Sequence, residues 1–349
     1  MRGLEKAQDL IRERGSPAQL CVYARGREVL NVSFGCPATS LFFLFSAGKP
    51  LVALAVHLLA QREALSLDDP VAAHWPEFGQ RGKQAITIRQ VLQHRGGLPV
   101  ARGMPLDALA MTDWDASIRA IERAAPAYPP GEVVAYHILT FGFILGEVVR
   151  RVTGISVRDF IVGELLGPLG LSDIYLGLPA SLWHRHVPVS GRGPAERITQ
   201  FLINRRVTRA AVIPAASVSG TAVGMAKLYQ ALLDGGQPVF RPETIAAAIR
   251  PSSDGEIDRY LHLPIRWSQG FQLGGARPGG ARVGGGYAPM GALASPAAFG
   301  HNGSYVCLAW ADPERQVVMA YLTGRLVSRS AGARHMSDVS DAVLAEFSS

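Results

Sequence analysis

The chain opens with "MRGLEKAQDLIRERG", where apolar residues recur at helical spacing among charges, so a surface helix is predicted at the N-terminus. "AQLCVYARGREVLNVSFG" (18–35) predicts two strands around an Arg-Gly turn. Then comes "LFFLFSAGK" (41–49), in which five large apolar residues stop at Ser46 and Lys49 follows three positions later. "PLVALAVHLLAQREAL" continues as a helix, predicted from about 46 to 63, with Pro50 tolerable in its first turn. Ser46 is therefore expected at or near a helix N-terminus. There, free backbone N–H groups and the positive end of the dipole favour developing negative charge.

From about 64 to 205 the pattern is mostly short helices and loops. "ITIRQVLQHRGGLP" (86–99) predicts a helix stopped by Gly96–Gly97. "YHILTFGFILGEVVRRVTG" (136–154) predicts a long apolar helix with Tyr136 at its start and Gly154 at its end. "VRDFIVGELLGPLGL" (157–171) and "GTAVGMAKLYQALLDGG" (220–236) predict two more. The tail turns to strand: "YVCLAWADPERQVVMAYLTG" (305–324) predicts two strands around an Asp-Pro-Glu-Arg turn. "SDVSDAVLAEF" (337–347) predicts a closing helix capped by Ser337 or Asp338. Strands at both ends with helices between imply an α+β fold, one sheet assembled from both termini, flanked by helices and carrying a mostly helical insertion. The expected division is 1–63 with 206–349 as sheet domain and 64–205 as helical domain, with the active site between them. "GGARPGGARVGGG" (274–286) is too short for a domain linker and reads as a mobile loop, or as a loop bordering a site.

Composition narrows the function. The apolar fraction, 48%, is that of a globular protein. No apolar run approaches the roughly 18 residues needed to span a bilayer. The N-terminus lacks the apolar core and cleavage site of a signal peptide, so a cytoplasmic protein is expected. Cys21, Cys36 and Cys307 are odd in number and widely spaced, as free thiols in a reducing compartment would be. His184 and His186 in "WHRH" lack further clustered ligands, so no metal is expected and a solvated loop is the better reading. The net charge of +7 comes from dispersed arginines without interleaved aromatics, which argues against a nucleic-acid partner. Lysine occurs only at 6, 49, 83 and 227. Arginine stays protonated, whereas lysine serves as a base once its pKa is depressed, so the presence of lysine at 49 carries weight.

Three short elements are candidates to converge. In "SAGK", residues i and i+3 share a helix face, so Ser46 Oγ and the Lys49 amine can meet. Serine needs such a base to act as a nucleophile. Tyr136 is either a solvent-facing aromatic or a phenol that shares the Ser46 proton. In "FGHNGSYVCLAW", His301-Asn302-Gly303 stands just before an apolar strand. It is either a polar entry turn or a site edge, with Gly303 allowing close approach. Ser304 and Ser46 would then supply N–H donors to an oxyanion.

In order and spacing these elements resemble the serine β-lactamase-like hydrolases, especially class C β-lactamases and family VIII carboxylesterases. S-x-x-K is a signature of β-lactamases and penicillin-binding proteins. "REALSLDDPVAAHWPEF", "ITIRQVLQHRGGLP", "YPPGEVVAYHILTFGFILGEVVRRVTG" and "LLGPLGLSDIYLGLP" carry the likeness over roughly residues 15–345. The resemblance implies a β-lactamase/transpeptidase-like fold with an antiparallel sheet. It also implies Ser46 as acylated nucleophile, Lys49 as its base partner, and Tyr136 as the tyrosine of Tyr-x-Asn. His301-Asn302-Gly303 then stands in the Lys-Thr-Gly position. Two departures stand out: Ile138 replaces the asparagine and His301 the lysine. Both remove groups that recognise amides and carboxylates, and both spare acyl transfer.

The expected activity is hydrolysis of small to medium acyl esters, with no cofactor and a small-molecule ester or acyl compound as partner. Transfer of the acyl group to a metabolite alcohol, residual β-lactamase or D-amino-acid peptidase activity, and a non-catalytic module stay open. Oligomeric state is not readable from the sequence.

Overall fold

The computed structural model describes residues 2–275 and 288–347. What was expected of the glycine-rich stretch beyond Gly275 lies outside the described residues.

Among the described residues the strands are β1 (Ala18–Ala24), β2 (Arg27–Phe34), β3 (Phe42–Phe43), β4 (Ile174–Leu176), β5 (Val218–Gly220), β6 (Ile257–Asp258), β7 (Leu263–Pro264), β8 (Gln272–Leu273), β9 (Phe299–Gly303), β10 (Cys307–Asp312) and β11 (Val317–Thr323). Arg25 and Gly26 both take left-handed φ, +50° and +74°, and close the β1–β2 hairpin with a turn whose twist matches the strands. The main sheet runs β2-β1-β11-β10-β9-β8. One of its pairings joins the two ends of the chain: β1 lies antiparallel to β11, with Ala18 opposite Thr323 and Ala24 opposite Val317. This is the sheet built from both termini that the sequence predicts.

Every residue of β10 and β11 is buried, and their alternation divides the core. Leu308, Trp310, Met319 and Tyr321 face one side, where they pack with Leu4, Ile11, Met336 and Val339 of the terminal helices Arg2–Arg14 and Arg329–Glu346. Ala309, Ala311, Val318 and Ala320 face the other side and join the large core that includes Leu51 and Leu54 of the helix Lys49–Gln61. Small residues on this second face let helices lie close to the sheet. A second sheet, β3-β5-β4, braces the segment just before Ser46. No helix among the described residues is long and apolar enough to cross a membrane.

Some elements differ from expectation for visible reasons. The helix in 86–99 is only Ile88–Leu92, opened by a Thr87–Gln90 capping box and over before His94, whose φ is +57°. The 136–154 helix begins at Thr140, so Tyr136 sits in a loop; Gly154 does end it, at φ +77°. Within 157–171 an α-turn, Val157–Phe160, passes into a π-helical turn, Ile161–Leu166. The closing helix starts at Arg329, capped by Ser328 rather than Ser337 or Asp338. His184 lies in a 3₁₀ turn, Ala180–Arg185, and His186 just after it stacks on Trp183.

Candidate active site

Leu44 N–H donates to the Val218 carbonyl at 2.8 Å, which anchors the chain to β5. Phe45 then takes φ +49°, a strained value for a bulky residue, and turns the backbone into a 3₁₀ turn, Phe45–Gly48. Gly48 lies so close to Val218 that a Cβ there would collide with its side chain. From Ser40 through Leu59 every residue is buried except Ser46. The strained turn thus pushes one hydroxyl out of an otherwise sealed segment.

The Lys49 amine lies 3.1 Å from Ser46 Oγ and donates to the Ala215 carbonyl at 3.2 Å. It also sits 4.8 Å from the centre of the Tyr136 ring. Lys49 is fully buried, and burial holds its pKa well below the ordinary 10.5. A neutral amine here keeps an N–H for Ala215 and turns its lone pair to the serine proton.

Tyr136 is held from three sides. Its backbone N–H donates to Asp258 Oδ1 at 3.1 Å; its ring stacks on Trp267 at 5.3 Å and 13°; and the His94 ring lies 4.7 Å away. Burial raises the pKa of its phenol, and a hydrogen bond with Ser46 partly opposes that rise. His94 Nδ1 accepts the His137 N–H, and His137 Nε2 accepts the Leu98 N–H, both at 3.2 Å. Acting as acceptors, both rings are neutral; burial pushes His94 well below its ordinary range and His137 down to about 3.

His301, Asn302 and Gly303 belong to β9 itself rather than to a turn before a strand, paired residue by residue with β10. A Cβ at Gly303 would run into the Leu44 carbonyl and approach Ala47 N, so glycine lets β9 lie against the serine turn. Ser304 follows at φ +50°, and its N–H donates to no group among the described residues. Asn302 turns inward: its side-chain amide donates to Gln272 Oε1 at 2.9 Å. The loop, the strand and the turn therefore bring Ser46, Lys49, Tyr136, His301 and Gly303 into one place.

Residues 7–341 match the beta-lactamase family, nearly the whole chain. The chain belongs to the beta-lactamase family. Among relatives within reach of that family, "Esterase/beta-lactamase LipL" of Mycobacterium tuberculosis (strain ATCC 25618 / H37Rv) is 29% identical, over 88% of this chain and 77% of its own. "Esterase EstB" of Burkholderia gladioli is 28% identical, over 70% of this chain and 72% of its own. A solved family VIII carboxylesterase superposes with a TM-score of 0.83 at 26% identity, covering 99% of this chain and 98% of that one.

Within this beta-lactamase fold, the two positions that depart from the family pattern are both enclosed. Ile138, half-buried, packs on the aromatic cluster of Tyr136 and Trp267 and donates its N–H to Pro99. His301 is buried, and its Nδ1 lies 2.7 Å from the Asn302 carbonyl, so that nitrogen carries the proton. Burial, with Lys49 nearby, pushes His301 down to about 3, so the ring is neutral rather than a pH-dependent cation at neutral pH. Asp258, Trp267 and the His94–His137 pair were not found from the sequence. Each acts through contacts distant in sequence and leaves no periodic trace. Only "LQHRGGLP", already part of the family likeness, pointed at His94.

Proposed function

We propose that this protein is a serine ester hydrolase that works through an acyl-enzyme on Ser46. One observation carries the reading: a buried lysine, with no acidic partner among the described residues, lies 3.1 Å from Ser46, the one residue from 40 to 59 that is not buried. Neutral Lys49 takes the Ser46 proton as Oγ bonds to the ester carbonyl carbon. The oxyanion rests on the backbone N–H groups of Ser46 and Ser304. Tyr136, hydrogen-bonded to Ser46, gives its phenolic proton to the departing alcohol as the ester C–O bond breaks, and protonated Lys49 returns the serine proton to the phenolate. Water then attacks the acyl carbon and gives its proton to Lys49 or Tyr136, which passes it to Ser46 Oγ as the acyl–Oγ bond breaks, releasing the acid and free Ser46.

Substrate preference follows from what lines the site. Ile138 and neutral His301 offer no fixed charge to a substrate carboxylate and no amide to a substrate side chain. An ester of small to medium acyl chain leaves no polar group unpaired in such a pocket; a β-lactam does. The relatives named as esterases support the same reading. The three cysteines are all free, which fits the expected cytoplasmic, reducing location.

The test is turnover of p-nitrophenyl acetate and butyrate, beside nitrocefin, by wild type and Ser46→Ala. Ester hydrolysis that vanishes in the variant, with nitrocefin left nearly intact, is expected. Equal ester rates in the two proteins sink the proposal, and efficient nitrocefin turnover reassigns the substrate.

A further inference from the structure

The helix Pro194–Ile203 presents large apolar side chains to solvent although the protein has a complete core elsewhere. Ile198 is 64% exposed and Phe201 70%, three residues apart and so on one face; Val207, just beyond, is 47% exposed. The presentation is built in. On the inner face Ile203 is buried, and Gln200 Oε1 accepts the Gly191 N–H at 3.1 Å. Asn204 bonds both backbone groups of Val189 at 2.9 and 2.7 Å. Buried Arg209 ties Asn204 and the Val187 carbonyl together from beneath. The helix is therefore clamped with Ile198 and Phe201 outward.

The charges around this face are predominantly positive. Arg192, Arg197, Arg205 and Arg206 are exposed, and Glu196 is the one acid between 191 and 210. Arg197, Phe201 and Arg205 line a single open groove of about 730 Å³. Arg206 sits 4.9 Å over the Trp183 ring, adding an aromatic edge. Guanidinium forks pair with phosphate oxygens, and aromatic and aliphatic side chains beside them seek the layer just below the headgroups. A second copy of this chain is a poor occupant, since a two-fold contact would set arginine cluster against arginine cluster.

We infer that Pro194–Ile203 and its flanking arginines dock the protein on an anionic phospholipid bilayer, arginines on the phosphates and Ile198 and Phe201 in the boundary layer. The protein lies on the surface and does not span it. Docking is read without any turnover, so its failure leaves the ester-hydrolase reading untouched.

The experiment is co-sedimentation of the full chain with vesicles of phosphatidylcholine alone or mixed with phosphatidylglycerol, at low and physiological salt. Binding only to the anionic vesicles, weakening with salt, is expected. The Arg197→Gln/Arg205→Gln/Arg206→Gln variant should bind roughly 100-fold more weakly, since each cation near an anionic surface contributes roughly fivefold. Ile198→Ser/Phe201→Ser should lose about tenfold or more, with thermal unfolding unchanged in both variants. No binding, equal binding to neutral vesicles, or variants that bind like wild type overturn the inference. So does a dimer, seen by light scattering without vesicles, that Phe201→Ser dissolves.

Discussion

Asp258 Oδ1 accepts the backbone N–H of Tyr136 at 3.1 Å across 122 residues of sequence. The same oxygen accepts the N–H groups of Tyr260 and Leu261 at 3.0 and 2.9 Å. One buried carboxylate thus locks a hairpin end to the loop that carries the phenol. Asp258→Asn keeps an acceptor oxygen but loses its charge, and kcat for p-nitrophenyl acetate should fall about tenfold with KM nearly unchanged. Asp258→Ala strands the donors and lets Tyr136 drift; a shift of about 1 Å costs roughly 10²-fold. Equal kcat in wild type and Asp258→Ala rules out this positioning role.

Lys49 is costly to the fold. Its folded-state pKa lies below the ordinary 10.5, so between those two values the unfolded chain holds a proton that the folded one has shed. The penalty is full below the folded value and fades as pH rises toward 10.5. Lys49→Met should abolish ester turnover yet unfold at higher temperature than wild type. The gain should be largest at neutral pH and below, shrinking toward alkaline pH. Melting curves across that range, beside activity, check both halves.

Acid should weaken the protein through its neutral histidines. His137 and His301 are pushed down to about 3 by burial, against 6.5 when free. Between those values the unfolded chain takes up protons that the folded site refuses, so stability falls as pH drops from 6.5 toward 3. Each group contributes up to about 1.4 kcal/mol per pH unit. His301→Gln should flatten the decline measured by urea titration at successive pH values.

Gly303→Ala tests the contact between β9 and the serine turn. The added Cβ meets the Leu44 carbonyl, which is backbone and has little room to yield. Displacing the turn should cut the rate of Ser46 labelling by a fluorophosphonate by roughly 10²-fold and lower the melting temperature. Labelling at the wild-type rate argues that β9 does not set the geometry of the serine.

The parts of the site that the sequence made legible are local. Ser46 and Lys49 share one turn, and spacing alone brings them together. The two hairpins announced themselves through Arg25-Gly26 and the Asp-Pro-Glu-Arg turn, where backbone conformation demands particular residues. The apolar pattern carries the helix back to Tyr136, but hydrogen bonds of Tyr136 with Asp258 and of Ile138 with Pro99 keep these residues out of it until Thr140. The polar residues of "HNG" suggest an entry turn as readily as a site edge, yet all three are buried in β9, where β10 pairs their backbone and Gln272 takes the Asn302 N–H and amide. Trp267 and His94 meet Tyr136 through ring contacts far apart in sequence, which no spacing rule encodes.

The pairing of β1 with β11 has a consequence for how the protein is made. Ser46 and Lys49 leave the ribosome early, but β1 has no partner on that flank until Val317–Thr323 has been synthesised. The Gly3 N–H likewise waits for the Glu346 carboxylate, 2.8 Å away in the finished fold. A stalled or prematurely terminated chain therefore carries the reactive pair without the frame that aligns it. A chain truncated before Val317 should therefore fail to turn over p-nitrophenyl acetate, and assaying such a truncation beside the full chain checks it.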